Sequence, residues 1–293
     1  MQRRTFLQSA TATTAALLTQ PRFVSALDVN NPFRKEIGIQ LYTLRNQIDN
    51  DVSATIRKIA DAGYKQVEPY GFPNCRPMIE AAAEFGLNLH STHFDSNSLI
   101  NNNDGDDDQF DRILEQANDV GLKHLVVPYL PDKFRTSLDD YKRLTDRLNK
   151  ASTKAKAVGI QLAYHNHAFE FKPMEENRCG YDVMMDEFGE DMAFEVDVFW
   201  VAVAGKDPNE LLRKLAGRVS QVHLKDLNSS VQTPTFDGVP KEAFEEIGDG
   251  TIDIESIMQV SAEIGVKHAH VEQDQSPHPI ESVLQSLSVI QSM

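Results

Sequence analysis

Cysteine is scarce in this chain of 293 residues: Cys75 and Cys179 are the only two, too few for a disulfide scaffold or an all-cysteine zinc site. Both are expected to be buried thiols. Tryptophan occurs once, at Trp200. Basic residues are also in short supply, with 29 Lys and Arg against 44 Asp and Glu and a formal charge of -15. Such a balance repels phosphate backbones and argues against a nucleic-acid partner. No apolar run reaches the roughly 18 residues needed to cross a bilayer. Apolar residues themselves are plentiful, at 41%, enough to bury a sizeable core and to exclude wholesale disorder.

The N-terminus reads as an address. Arg3-Arg4-Thr5-Phe6-Leu7 is a twin-arginine pattern, followed by the mildly apolar stretch 10–18 and the small-residue end Val24-Ser25-Ala26, with no acid among the first 26 residues. A frayed amphipathic terminus is the bland alternative. The expectation is a twin-arginine signal peptide over 1–26, cleaved after Ala26, then a linker over 27–36. The product would be periplasmic or otherwise exported, with no membrane anchor left.

From residue 37 onward, β-rich runs alternate with amphipathic helical runs, and glycine marks the joins at 63, 86, 121, 159, 189, 217 and 265. Glycine suits the position after a helix because it adopts positive φ without the penalty a Cβ brings. These joins predict eight strands, drawn at 37–43, 65–69, 87–93, 123–128, 160–166, 192–198, 219–225 and 267–272. That arithmetic is a single-domain α/β chain folded as a (β/α)8 TIM barrel over 37–293. An open doubly wound sheet would carry a Gly-rich turn after its first strand, and Leu41-Tyr42-Thr43-Leu44-Arg45 has none.

Ionisable residues collect at the C-terminal ends of these strands: Glu68, His93, His165, His167, Asp197, His223, Lys225 and Glu272. A barrel gathers such ends at one mouth. Period-two counting places Gln221, His223 and Lys225 on one face, Glu195 with Asp197 on another, and His270 with Glu272 on a third. Lys225 can balance only one of the carboxylates, and each unpaired buried carboxylate costs several kcal/mol. A divalent metal resolves this. Imidazole and carboxylate without sulfur suit Mn²⁺ first, then Mg²⁺, Co²⁺ or Zn²⁺.

Ile37-Gly-Ile-Gln-Leu-Tyr-Thr, Val67-Glu-Pro, Tyr164-His-Asn-His-Ala-Phe-Glu-Phe, Glu195-Val-Asp-Val-Phe-Trp, Val222-His-Leu-Lys-Asp, Ile247-Gly-Asp-Gly and Val271-Glu-Gln-Asp together resemble the sugar phosphate isomerase/epimerase, or xylose isomerase-like TIM-barrel, family. The Tyr-His-x-His pattern resembles its inosose dehydratase branch. The resemblance implies one divalent metal held by Asp197, His223 and Glu272. His165 stands as fourth ligand where many members carry Glu-Pro, with Glu170 as rival.

The implied chemistry is proton abstraction beside a carbonyl through an enediolate, with His167 or Glu170 as base and Glu68 and Lys225 as acid or orienting groups. His93 and Trp200 are expected to contact the substrate, a small sugar or keto-sugar. Reprotonation gives an isomerase or epimerase, the first reading. Loss of a β-substituent gives a lyase or dehydratase acting on a keto-sugar or 3-keto-glycoside. A non-catalytic periplasmic carbohydrate binder is the alternative of another class, and phosphodiester cleavage is disfavoured by the charge. Composition is compatible with a homo-oligomer. Each residue alone has a bland reading: a strand-end cap for Asp197, a core histidine for His223, a salt-bridge partner for Glu272. Two further signals are expected to be decoys, the Asn101–Asp108 acidic run as a calcium loop and Gly248-Asp249-Gly250 as a phosphate cradle.

Overall fold

The computed structural model describes residues 27–28, 30–101 and 108–293. The expected signal segment 1–26 lies outside these residues, as does nearly all of the 101–108 acidic run. The strands are β1 (Gly38–Gln40), β2 (Gln66–Glu68), β3 (Asn88–Leu89), β4 (Ser91–His93), β5 (His124–Val127), β6 (Gln161–His165), β7 (Met192–Asp197), β8 (Val219–Leu224), β9 (Asp226–Leu227), β10 (Phe244–Glu245) and β11 (His268–Val271). Nine of them form one parallel ladder in the order β3-β2-β1-β11-β8-β7-β6-β5-β4. Its two ends, β3 and β4, are the halves of one strand interrupted at His90. The third strand of the predicted eight therefore closes the circle, its first half pairing with β2 and its second with β5.

The strands are shorter than drawn because buried apolar residues continue past them: Leu41 and Leu44 are buried in a 3₁₀ turn, not in an extended strand. The longest helix, Leu138–Ala157, starts with a reciprocal cap between Ser137 and Asp140 and buries Tyr141, Leu144, Leu148, Ala151 and Ala155. Their spacing of three and four puts one apolar stripe on the barrel. Six of the predicted glycine joins have positive φ, from 70° at Gly86 to 113° at Gly63. Gly189 is the exception, since Phe188 leaves its helix in extended conformation. Both cysteines are free and buried. Among the described residues no helix is long and apolar enough to cross a membrane.

Residues 27–36 do more than connect. Leu27 and Phe33 are buried, the Asn31 side chain donates to Met258 O at 3.1 Å, and Arg34 reaches Gln291 O at 3.0 Å. At the opposite face, the long 228–250 excursion folds back so that its β10 pairs antiparallel with β9, which immediately precedes the excursion. Phe244 stacks on Phe199 at 4.5 Å, which fastens this excursion to the short helix Val198–Val203 that follows β7.

Helices pack on the outside of the strands, and that interface is the main core. Inside the cylinder, apolar packing shrinks to a separate cluster of Val126, Ala163 and Ala193. Barrel interiors are usually filled by layers of branched apolar side chains. Here Gln40, Glu68, His93, His165, Glu195, Asp197, Gln221, His223 and His270 are buried instead.

Candidate active site

Strand alternation orients these groups. His165 ends β6 and Asp197 ends β7, so both project inward at the C-terminal rim, while β8 contributes His223 and the turn after β11 contributes Glu272. One donor atom from each of His165, Asp197, His223 and Glu272 lies within 4.8 Å of the others, and all four residues are buried. Two ligands of one ion, each about 2.1 Å from it, stand at most about 4.2 Å apart. Shifts of a few tenths of an ångström would gather this set around a cation.

Two local details support that fit. His165 Nδ1 lies 2.8 Å from Glu195 Oε2, which turns the other ring nitrogen toward Asp197 Oδ2 at 3.6 Å. A carboxylate behind an imidazole is the usual orienting device for a ligand histidine. Asp197 uses Oδ1 to cap the Trp200 N–H at 3.1 Å, whereas its buried Oδ2 accepts no well-directed hydrogen bond. Lys225 Nζ stands 2.9 Å from that oxygen, close enough for charge attraction but poorly angled. The ammonium also lies 2.7 Å from Glu272 Oε2 and 2.8 Å from Asp274 Oδ2.

A second carboxylate layer lies beneath. Glu195 Oε2 meets His93 Nε2 at 2.7 Å as well as His165, and its Oε1 receives Gln221 Nε2 and faces His223 Nε2 at 3.2 Å. Glu68 Oε2 accepts from Gln40 Nε2 at 3.0 Å and meets His223 Nε2 at 2.6 Å. Its Oε1 accepts from Gln221 Nε2 at 2.7 Å and from Ser91 Oγ. His223 is thus held from below by Glu68 and from above by Glu272, 2.9 Å from Nδ1.

Charge is balanced here by protons. Burial alone would raise Glu195, but the His223 and His93 charges and the hydrogen bonds from His165 and His223 hold it well below the ordinary carboxylate range. Glu272 is likewise well below it, since Lys225 and His223 outweigh its burial. Burial opposes the charge on His223 and Lys225, yet the surrounding carboxylates raise both well above their usual values. His167 goes the other way: burial, then the His165 and Lys225 charges, push it well below the imidazole range. A neutral imidazole and a firmly protonated amine therefore share this rim.

The other expected residues fall in three places. Glu68 and His93 belong to the lower layer. Trp200 sits at the rim, its indole 5.3 Å from the His167 ring and 5.9 Å from Lys225 Nζ. Glu170 is not brought into the group. Its Oε1 accepts from Tyr164 OH at 2.9 Å and its Oε2 from the His167 N–H at 2.8 Å, so its carboxylate braces the turn after β6. Glu170, expected as base or rival ligand, is thus placed outside the gathered donors, since Tyr164 alternates with His165 on β6 and faces the opposite side of the strand.

A model of the xylose isomerase-like TIM barrel matches residues 56–293. The chain belongs to that family. Among its relatives, inosose dehydratase from Clostridium perfringens is 26% identical over 269 residues, covering 83% of this chain and 90% of the relative. A sugar phosphate isomerase/epimerase from Parabacteroides distasonis shares the fold with a TM-score of 0.73 at 24% identity, over 88% of this chain and 94% of that one. The IOLI protein, solved with a bound zinc atom, superposes with a TM-score of 0.64 at 16% identity, over 88% and 98%.

Within this xylose isomerase-like barrel, several groups escaped assignment from sequence. Glu195 and Gln221 had been placed on the inward faces by period two, but that count cannot say that they bond to Glu68 or His165 across the barrel. Asp274 lies two positions beyond Glu272, past the strand end where alternation stops being informative. Asp226 resolves the Gly248-Asp249-Gly250 question: its carboxylate accepts the N–H groups of Gly248 at 3.0 Å, Gly250 at 3.2 Å and Ile252 at 2.9 Å. The nest is filled by the protein's own anion, so it is no phosphate cradle.

Proposed function

We propose that this chain is a divalent-metal-dependent lyase of the dehydratase type, which removes the proton beside a carbonyl of a sugar-like substrate and expels a β-hydroxyl as water. The observation that carries the reading is geometric: His167 and Lys225 stand at the rim beside the buried donors of His165, Asp197, His223 and Glu272. A divalent ion held by those four residues would supply the positive charge that draws electron density from the carbonyl. With two imidazoles in the set, Mn²⁺, Co²⁺ or Zn²⁺ suits it better than Mg²⁺.

His167 takes the proton on a ring nitrogen. The C–H electron pair becomes the new C=C bond as the C–O bond breaks. Lys225 delivers its proton to the departing hydroxide, and Asp274, which is outside the cation group, keeps the ammonium in place. Isomerisation and epimerisation share the first step; isomerisation can return the proton through His167 itself, whereas epimerisation must deliver one to the opposite face from a second group. The carboxylates first considered for that task are engaged elsewhere, Glu68 below the group and Glu170 with Tyr164 and the His167 N–H. The dehydratase relative points the same way. We assign the activity to an exported protein on the strength of the Arg3-Arg4 pattern alone.

The test is incubation of the Mn²⁺-loaded protein with a panel of keto-sugars and inososes in heavy water. The expected result is an unsaturated carbonyl product absorbing in the near ultraviolet, absent from chelator-treated protein and from His167→Ala. Deuterated isomers with no eliminated product would return the reaction to the isomerase class. No deuterium and no product would overturn the catalytic reading.

A further inference from the structure

Beside the cation group, and not including its four residues, opens a cavity of about 430 Å³. It is bounded by the rings of Tyr129, His167, Phe169, Trp200 and Phe236, the last brought in by the 228–250 excursion. His167 and Trp200 belong to both spaces, since the His167 ring is 5.2 Å from that of His165 and Trp200 follows Asp197 by three residues. A ligand reaching the four donors and filling this slot must extend beyond its reacting carbons. The volume falls in the range of about 300–1,000 Å³ that accommodates whole small molecules.

The lining specifies chemistry. Tyr129 is 43% exposed; Arg135 lies over its ring at 5.5 Å, and the part left uncovered is an aromatic surface of the sort on which the apolar face of a sugar ring packs. Three buried polar atoms on lining residues, Trp200 Nε1, His167 Nδ1 and Arg135 Nε, have no hydrogen-bond partner among the described residues, an unfavourable state that a ligand's hydroxyl groups would relieve. The charges at the slot are already neutralised: Arg135 pairs with Asp132 while its guanidinium covers Phe169 at 3.3 Å, and Lys172 pairs with Asp237 at 3.0 Å. A phosphate would have to share these cations with the carboxylates. A neutral hydroxylated ring would not.

We infer that this slot is a second-ring subsite, and that the substrate is an uncharged glycoside whose reacting sugar sits at the cation group and whose attached ring packs on Tyr129 beside Trp200. The inference deepens the sugar-lyase reading and rests on it for the position of the reacting ring, but its test requires no turnover. Trp200 is the only tryptophan, so its emission reports from the rim where the slot meets the cation group, and the comparison of one-ring with two-ring probes isolates the slot. The full chain loaded with Mn²⁺ is titrated with cellobiose, maltose, p-nitrophenyl β-glucoside, glucose and glucose 6-phosphate. At least one two-ring probe is expected to change the Trp200 emission at concentrations tenfold or more below those needed for glucose or glucose 6-phosphate. Tyr129→Ala is expected to cut that preference about tenfold, and Tyr129→Phe, which keeps the ring, to retain it; circular dichroism checks that both variants fold. Equal response to one-ring and two-ring probes overturns the subsite, as does tighter binding of the sugar phosphate, no response to any two-ring probe in the millimolar range, or a Tyr129→Ala variant with unchanged preference. Failure of the lyase reading would appear separately, as absence of deuterium uptake in a protein that still selects two rings.

Discussion

Two carboxylate layers one above the other inside the same barrel are built from the same residue types and do opposite things. In the lower layer, Glu68 and Glu195 have both oxygens occupied by Gln40, Ser91, Gln221 and the rings of His93, His165 and His223. In the upper layer, Asp197 Oδ2 is left without a well-directed hydrogen bond among the described residues, and the Glu272 carboxylate is met by the proton-bearing groups His223 and Lys225. Buried carboxylates are stable when hydrogen-bonded and charge-paired. The contrast separates a layer that fixes imidazole orientation from a layer that leaves donor atoms for a cation and a substrate.

Substitutions can break this contrast. The largest effect is expected from Asp197→Asn, which keeps an oxygen to cap Trp200 but removes a charged donor. Metal affinity should fall by more than the roughly 10–100-fold that loss of an orienting neighbour costs, with the melting temperature almost unchanged, as read by elemental analysis and calorimetry. If that variant retained metal as tightly as the parent chain does, the upper layer would not be a cation site. Glu195→Ala should act the other way round. It strands the charge on His93 and His223 and leaves His165 unoriented, so stability should drop by about 3–5 kcal/mol, measured by urea unfolding; a loss below about 1 kcal/mol would contradict the supporting role. For the same reason His223→Ala, which leaves Glu68 and Glu272 without their shared partner, is expected to lose stability along with metal, so it cannot separate the layers.

A smaller, pH-dependent effect sharpens the distinction between inside and outside of the strands. Glu170 is raised from 4.5 to about 7, chiefly by burial, outside the cation group. An acid whose folded pKa is raised contributes stability that is present below about pH 4.5 and lost as pH rises toward 7, because the folded state holds the proton longer than the unfolded chain does. The window is worth at most about 3 kcal/mol. Glu170→Gln, whose amide can accept from the His167 N–H and donate to Tyr164 oxygen, should flatten stability across pH 4.5–7. An unchanged slope would place that titration elsewhere.

How far the sequence alone reached follows from where periodicity holds. The glycine joins located the helix ends, strand-end counting put His165, Asp197, His223 and Glu272 at one mouth together with other ionisable residues, and the family resemblance singled those four out, although they are spread over more than 100 positions. Beyond a strand end, alternation no longer sets direction. Glu170 therefore looked like a site residue five positions after His165, when the 3₁₀ turn Phe169–Phe171 carries it back to Tyr164. The break at His90 and the β9–β10 pair were invisible for a similar reason: each depends on tertiary pairing of two-residue segments too short to show a pattern. The aromatic slot draws Tyr129, Phe169, Trp200 and Phe236 from four separate segments, among them the 3₁₀ turn Phe169–Phe171 and the helix Val198–Val203, and only the folded chain brings them together.

The most direct test of the cation site is an anomalous difference map from crystals of the protein grown with Mn²⁺. The expected result is one strong peak per chain, about 2.0–2.3 Å from donor atoms of His165, Asp197, His223 and Glu272, with Glu195 behind His165. No peak among those four side chains, or Lys225 still bridging Asp197 and Glu272 at saturating Mn²⁺, would contradict it.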